Sequence, residues 1–314
     1  MPPADSGNWL PIVAVIAVIV IGIAYLVKLV RARIRFWAPH VVKVQEGGYV
    51  PPQPYFLTAL LMRCLCIVLG FLEVGPIRIL GRNRLPEHGP TIIAPFHIDA
   101  GDGSIVSSLL GVKPMYYLIR TTEVVGLRGW IATLTGAIAV DEETQEGRSK
   151  AFKAAINALA NGGPDVCMVI FPQGQLVPDQ EVRRSDFKSG TMAIAKLAAR
   201  KRKEPIWIVP IGMHYRKDKE ESTLFQKIVQ GLGFKHFRNL FGTQNYGAFA
   251  VVGRPFKVTP KTADLEELAR GLSLDDDADK ATDAYVQRLV ILQKAAKKRS
   301  LARRKNKQGK SGDS

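Results

Sequence analysis

The chain has 314 residues, 46% of them apolar and 8% aromatic, which excludes a fully disordered protein and suffices for one large domain or two modest ones. Lys and Arg number 44 against 28 Asp and Glu, and the formal charge of +16 points to nucleic acid, an anionic membrane or acidic small molecules as partners. Three cysteines (Cys64, Cys66 and Cys167), with no Cys-x-x-Cys pair, exclude a disulfide framework and fit reduced thiols on the cytoplasmic side.

Residues 1–35 read as a transmembrane anchor and its basic flank. Gly7 to Val27 carries no charge, and Leu10 to Val27 is almost wholly aliphatic, a length that can span a hydrocarbon core as a helix. Trp9 stands at one end, where an interfacial aromatic belongs, and Lys28, Arg31, Arg33 and Arg35 follow the other. Only Asp5 precedes the run, so the positive-inside rule leaves the rest of the chain in the cytoplasm. A cleaved signal peptide carries the reverse charge order. The expectation is a single-pass or interfacial membrane protein whose catalytic domain faces the cytoplasm.

Residues 36–80 read as a connector, rich in Pro39, Gly47, Gly48, Pro51, Pro52 and Pro54, followed by a second apolar stretch over Tyr55–Leu72. Arg63 interrupts that stretch and Glu73 follows it, which favours a helix lying in the interface over a second full span. Cys64 and Cys66 fall inside it and read as packing residues.

From 81 to about 260 the pattern changes to an α/β domain. Strand-like runs are Ile77–Leu80, Thr91–Ala94, Met115–Ile119, Ala137–Val140, Val166–Phe171, Ile206–Ile211 and Ala248–Val252. Helix-like segments are Gly103–Leu110, Gly126–Leu134, Ser149–Ala160 and Ser189–Arg200. Their alternation predicts a mostly parallel sheet flanked by helices, preceded by the membrane-anchoring segment. Residues 261–296 read as C-terminal helices, acidic at Asp275, Asp276, Asp277 and Asp279 and then basic, and 297–314 as a basic disordered tail.

Four segments carry chemistry. In the first, His97 follows a strand and Asp102 lies five residues on at a helix start, so a bend lets the carboxylate turn back to the imidazole. Such a pair makes a general base: the carboxylate fixes the tautomer and stabilises the imidazolium. Asp99 competes with Asp102 as the partner. The second segment is Gly136–Glu142. The third is Val169–Gln175, a buried strand breaking into a Pro-Gly turn whose amides can hold an acceptor. The fourth is Ile208–Gly212, where Pro210 ends or kinks an apolar strand.

Taken together and in this order, these segments resemble the glycerolipid acyltransferase family over about Gly81 to Pro255. The family's His-x4-Asp motif falls on His97 and Asp102. Its second motif falls on Gly136 to Asp141, and its third, Phe-Pro-Glu-Gly-Thr, on Phe171, Pro172, Gln173, Gly174 and Gln175. Its Val-Pro-apolar-Gly strand falls on Val209 to Gly212, and Phe187–Gly190 and Val252–Pro255 also look like family segments.

The resemblance implies a membrane-bound acyltransferase. It moves a fatty acyl group from acyl-CoA or an acylated carrier protein onto the hydroxyl of a lysophospholipid such as 1-acylglycerol-3-phosphate, with His97 as general base and Asp102 orienting it. It implies no metal, no cofactor beyond the thioester donor, and acyl-binding or structural roles for Gly136, Phe171, Pro172 and Pro210.

The chain departs from the family pattern at Gln173 and Gln175, where Glu and Thr are expected, and at Glu142, where an Arg is linked to the acceptor's phosphate. Acceptor binding then falls to Gln173, Gly174 and Gln175 with Arg148 or Arg120, or with Arg183, Arg184 or Lys188. The alternatives are the same chemistry on a non-phosphate acceptor such as a glycolipid, or a non-catalytic, membrane-tethered protein for anionic lipid or nucleic acid. That last reading accounts for the charge but not for four motifs in order. The partners expected are a lipid acceptor, the acyl donor and a membrane with anionic headgroups, with no specific nucleic acid.

Overall fold

A computed structural model describes residues 10–52, 76–99, 101–110, 115–216, 247–259 and 278–311, with positions 60, 64, 67, 68 and 74. The chain divides into two compact units, residues 1–43 and 44–314.

The first unit holds most of α1 (Leu10–Gln45), a single helix of 36 residues. The anchor expected over 10–27 is helical in backbone, while most of its side chains lie outside the described residues. Among the described residues no helix is long and apolar enough to cross a membrane. The connector expected from residue 36 is helix as far as Gln45, because α1 runs through Pro39 despite the backbone bond a proline removes. What stops the helix is a glycine pair: Gly47 and Gly48 have φ of 83° and 67°, and the Gly48 amide donates to Ala139 O at 2.8 Å. The apolar stretch 55–72 lies mostly outside the described residues. Its described positions 60, 64, 67 and 68 are helical, and Cys64 is exposed rather than packed.

Among the described residues the second unit holds an eight-stranded sheet: β1 (Ile77–Leu80), β2 (Thr91–Pro95), β3 (Met115–Arg120), β4 (Ala137–Val140), β5 (Cys167–Val169), β6 (Ile206–Tyr215), β7 (Ala248–Val252) and β8 (Phe256–Val258). The order is β1-β7-β6-β2-β5-β3-β4, with β8 also on β6. The run β6-β2-β5-β3-β4 is parallel throughout, and β6 meets β7 and β8 antiparallel. Every residue of β2, β5 and β7 is buried, as expected of apolar strands covered on both faces. The helices α2 (Asp102–Leu110), α3 (Gly126–Leu134), α4 (Gln145–Asn161), α5 (Gly190–Arg202) and α6 (Ala278–Ser311) belong to the same unit.

Local sequence explains these elements. α4 starts at Thr144, whose hydroxyl accepts from the Gly147 amide at 3.0 Å, and it buries Ala151, Ala154, Ala155, Ala158 and Leu159, one stripe at helical spacing. Its last carbonyls are met by Arg202 from the end of α5, which donates to Leu159 O and Gly162 O. α6 buries Thr282, Tyr285, Val286, Leu289, Gln293, Ala296 and Ser300, again one face. Each fully buried large apolar side chain on it is worth about 1.5–3 kcal/mol. This face comes close to β6 because Gly212 has no Cβ: one added there would lie 2.5 Å from the Leu292 carbonyl carbon.

Two expectations change. Pro210 does not end its strand, because β6 continues to Tyr215. β8 pairs residues 206–208 and β7 pairs 211–215, so the proline stands at the junction where no ladder donor is required. The tail after Lys297 continues as helix to Ser311. β8 itself went unpredicted, being three residues long behind Pro255.

Gly136 bears on both fold and motif. It has φ 92°, and a Cβ there would lie 2.1 Å from Met115 O on the neighbouring strand. Gly136→Ala is therefore expected to lower stability by about 2–4 kcal/mol, read as a shift in the urea midpoint. A variant that melts with the parent protein overturns this packing role.

Candidate active site

The four motifs, spread over more than a hundred residues, converge because parallel strands end on one edge of a sheet. His97 follows β2, Phe171 follows β5, Arg120 ends β3, and Asp141 and Glu142 follow β4. These strands are consecutive neighbours, so their carboxyl ends form a row. In open α/β sheets this edge is where ligands bind.

His97 and Asp102 are joined. His97 Nδ1 lies 2.8 Å from Asp102 Oδ2, across the turn between β2 and α2. The same oxygen accepts the amides of Ile98 at 2.6 Å and Asp99 at 3.0 Å, while Oδ1 accepts the Tyr215 hydroxyl. Asp102 is fully buried, and burial pushes its carboxyl up from the ordinary value, against the downward pull of His97, Tyr215 and the Asp99 amide. Asp99, the competing partner, turns its own carboxylate to the Gly101 amide at 2.9 Å. With Nδ1 held, Nε2 is the nitrogen left to take a proton, and the His97 side chain is 21% exposed.

The third motif supports the imidazole directly. The Phe171 ring stacks on His97 with centroids 4.0 Å apart and planes 23° from parallel. The His97 carbonyl accepts the Val177 amide at 2.8 Å, which ties the two loops together. Between them Gly174 takes φ 67°, beside Lys188 Nζ. Gln173 is fully buried, and neither atom of its amide has a hydrogen-bond partner among the described residues. A buried amide left open costs free energy unless a ligand or water completes it. Pro172 accepts the Lys188 amide at 3.1 Å, and Gln175 follows on the exposed side of the turn.

The basic residues separate into those at the site and those used elsewhere. Arg120 reaches the third motif, its guanidinium 3.4 Å from Gly174 O, and pairs with Glu142 Oε2 at 2.9 Å. Glu142, standing where the family has an arginine, thus holds an arginine from the neighbouring strand. Arg148 is turned to the Gln145 side chain and the Glu142 carbonyl, so it braces the start of α4. Arg183 is engaged by Asp179 and Glu181, and Arg184 by Asp279 and Asp283 of α6. Of the basic residues expected to help an acceptor, Arg120 and Lys188 are the two beside the Gly174 turn. Asp141 makes a local turn, accepting the Glu143 amide and the Thr144 hydroxyl, bonds that hold its carboxyl below the usual range.

Sequence reasoning missed Tyr215, Gln180 and Gln293. Tyr215 lies in a His-Tyr-Arg run that reads as structural. The available signal was its place at the end of an apolar strand three residues beyond the Gly212 of the fourth motif. Nothing in the sequence marks Gln293, which reaches β6 from a helix 80 residues away.

Residues 76–214 match the family model described as Acyltransferase. Comparison with curated proteins gives no match. Among solved structures, the chain is similar to the 1-acyl-sn-glycerophosphate (LPA) acyltransferase, PlsC, from Thermotoga maritima. The sequence identity is 17% and the TM-score 0.43, over 73% of this chain and 78% of that one.

Proposed function

We propose that this chain, which belongs to the acyltransferase family through residues 76–214, moves a fatty acyl group from acyl-CoA or an acylated carrier protein to the hydroxyl of a lysophospholipid such as 1-acylglycerol-3-phosphate. The observation that carries the mechanism is the bond between His97 Nδ1 and a buried Asp102 at the carboxyl edge of the sheet. Asp102 fixes the tautomer that leaves Nε2 unprotonated. Nε2 takes the proton of the acceptor hydroxyl as its oxygen attacks the thioester carbonyl, the thiolate leaves, and the imidazolium is stabilised by the carboxylate until it returns the proton. No acyl-enzyme and no cofactor enter this scheme. Phe171 keeps the ring in plane, and Gln173, Gly174 and Gln175 face the acceptor.

The N-terminal segment anchors the enzyme, with the second unit on the cytoplasmic side. Its support is the aliphatic run over 10–27, the basic flank, and the exposure of Ile21 and Tyr25 on α1. The basic end of α6 adds attraction to anionic headgroups.

One observation favours a second acceptor class, a non-phosphate lipid hydroxyl. The Arg120 charge is already met by Glu142, and the buried group of the third motif is a neutral amide. Such an amide suits a hydroxyl, which both donates and accepts. The test is to incubate purified full-length protein with labelled acyl-CoA and a panel of lysophospholipids and glycolipids, and to identify the ester product by mass. Absence of any esterified product rejects the acyl-transfer reading. Gln173→Glu is expected to change the preference across that panel by about tenfold, with KM for the thioester little altered. An unchanged preference removes Gln173 from the acceptor site.

A further inference from the structure

Past Ile211, β6 loses its parallel neighbour. β2 accompanies it only to the Pro95–Ile211 pair, and the Phe96 amide donates to Ile211 O at 3.0 Å just beyond. The backbone groups that follow on that side are taken by two glutamine side chains. The Met213 amide donates to Gln293 Oε1 at 2.9 Å, and the Tyr215 amide donates to Gln180 Oε1 at 2.8 Å. Gln180 Nε2 returns a bond to the Tyr215 carbonyl at 3.2 Å, and Gln293 Nε2 donates to the Gln180 carbonyl at 3.2 Å. Gln180 adopts φ 62°, uncommon for a residue with a Cβ, while bonded in this way on both sides. Two side chains from outside the sheet thus extend its ladder to Tyr215.

What they hold is the Tyr215 phenol. The residue is buried, and its hydroxyl donates to Asp102 Oδ1, the oxygen that His97 does not use. We infer that Tyr215 is a positioning residue for the His97–Asp102 pair, anchored from α6 through Gln293 and Gln180. Its consequence for turnover rests on the acyl-transfer reading. The titratable side chains facing Asp102 are His97, from the loop after β2, and Tyr215, from β6; Asp99 meets it through its backbone amide. The phenol draws carboxylate charge toward Oδ1, so it restrains the basicity that Asp102 confers on His97 through Oδ2. It also fixes the carboxylate plane, and with it the imidazole.

The sign follows. Without the hydroxyl, Asp102 is a stronger acceptor for the His97 Nδ1 proton and holds the imidazolium form more tightly. A general base must be neutral to act, so the acidic limb of kcat/KM moves to higher pH. A stronger phenol donor moves both the other way.

The experiment uses the full chain in lipid nanodiscs. The His97 ring is followed by 15N NMR across pH, and kcat/KM is profiled in parallel. Tyr215→Phe is expected to move the His97 ring 15N resonances toward the imidazolium position at fixed pH, to move the acidic limb of kcat/KM to higher pH, and to lower kcat at neutral pH about tenfold. Incorporation of 3-fluorotyrosine at 215 keeps the hydroxyl but acidifies it, and is expected to move the ring resonances and the acidic limb the opposite way. If Tyr215→Phe does not fold, the fluorinated protein carries the test alone. His97 ring resonances and an acidic limb that stay in place in a folded variant overturn the inference. Shifts of the expected sign in a protein that esterifies nothing uphold the coupling and reject the acyl-transfer reading instead.

Discussion

Replacing His97 by alanine is expected to lower acyl transfer by roughly 10²–10⁴-fold while leaving vesicle attachment unchanged. In the proposed mechanism the imidazole takes the acceptor proton, since Nδ1 is occupied by Asp102 and the side chain is 21% exposed. Its removal has a second effect. Asp102 is fully buried and loses the partner that most strongly opposes its desolvation, so it holds a proton more readily. The Ile98 and Asp99 amides and the Tyr215 hydroxyl remain to satisfy it, so the fold survives. The measurement is the single-turnover rate with labelled acyl-CoA, beside vesicle flotation and a thermal melt. Near-normal turnover in a folded His97→Ala protein removes His97 from the chemistry.

Asp102→Asn is expected to cost about 10⁴-fold in kcat, and, unlike the alanine at 97, to cost stability as well. The carboxylate accepts four donors: His97 Nδ1, the Ile98 and Asp99 amides, and the Tyr215 hydroxyl. An asparagine of the same shape offers one acceptor oxygen and places an amide donor where the other oxygen was. With that amide toward His97 and the two backbone amides, donors face donors in a buried site, at a cost of about 1–3 kcal/mol. With it toward Tyr215, the phenol must turn its hydrogen away. In the first arrangement the imidazole favours the tautomer that carries its proton on Nε2, where it cannot act as a base. Parallel rate and urea measurements check this. A variant that loses neither rate nor stability contradicts the role given to Asp102.

Much of the sheet was legible because its strands are short apolar runs separated by turn residues. β1, β4 and β7 begin and end where the pattern places them, and the burial of Cys167–Val169 on both faces follows from its unbroken apolarity. The parts that were not legible have physical reasons. Pro39 reads as a breaker, but the lost bond is one among many in a long helix, and the glycine pair at 47 and 48 supplies the stop. Pro210 reads as a strand end, yet its missing donor falls where β8 has finished and β7 has just begun. At the site, His97 and Asp102 were readable because they are neighbours in the chain, and the Arg120–Glu142 pair was not because it forms between adjacent strands. Tyr215, Gln180 and Gln293 depend on contacts across tens of residues, which periodicity cannot report.

The Gly212 contact with α6 bears on how the chain is made. Because the helix lies directly on the sheet there, the Gly212 face of β6 stays uncovered until α6 exists, and the Met213–Gln293 bond spans 80 residues. At roughly 5–20 residues per second, a growing chain carries that face bare for several seconds after synthesis. During this interval the basic N-terminal flank and first helix are already out of the ribosome, whereas the last strand-covering element is not. Vectorial synthesis therefore leaves a window in which this face of the sheet waits for its covering helix.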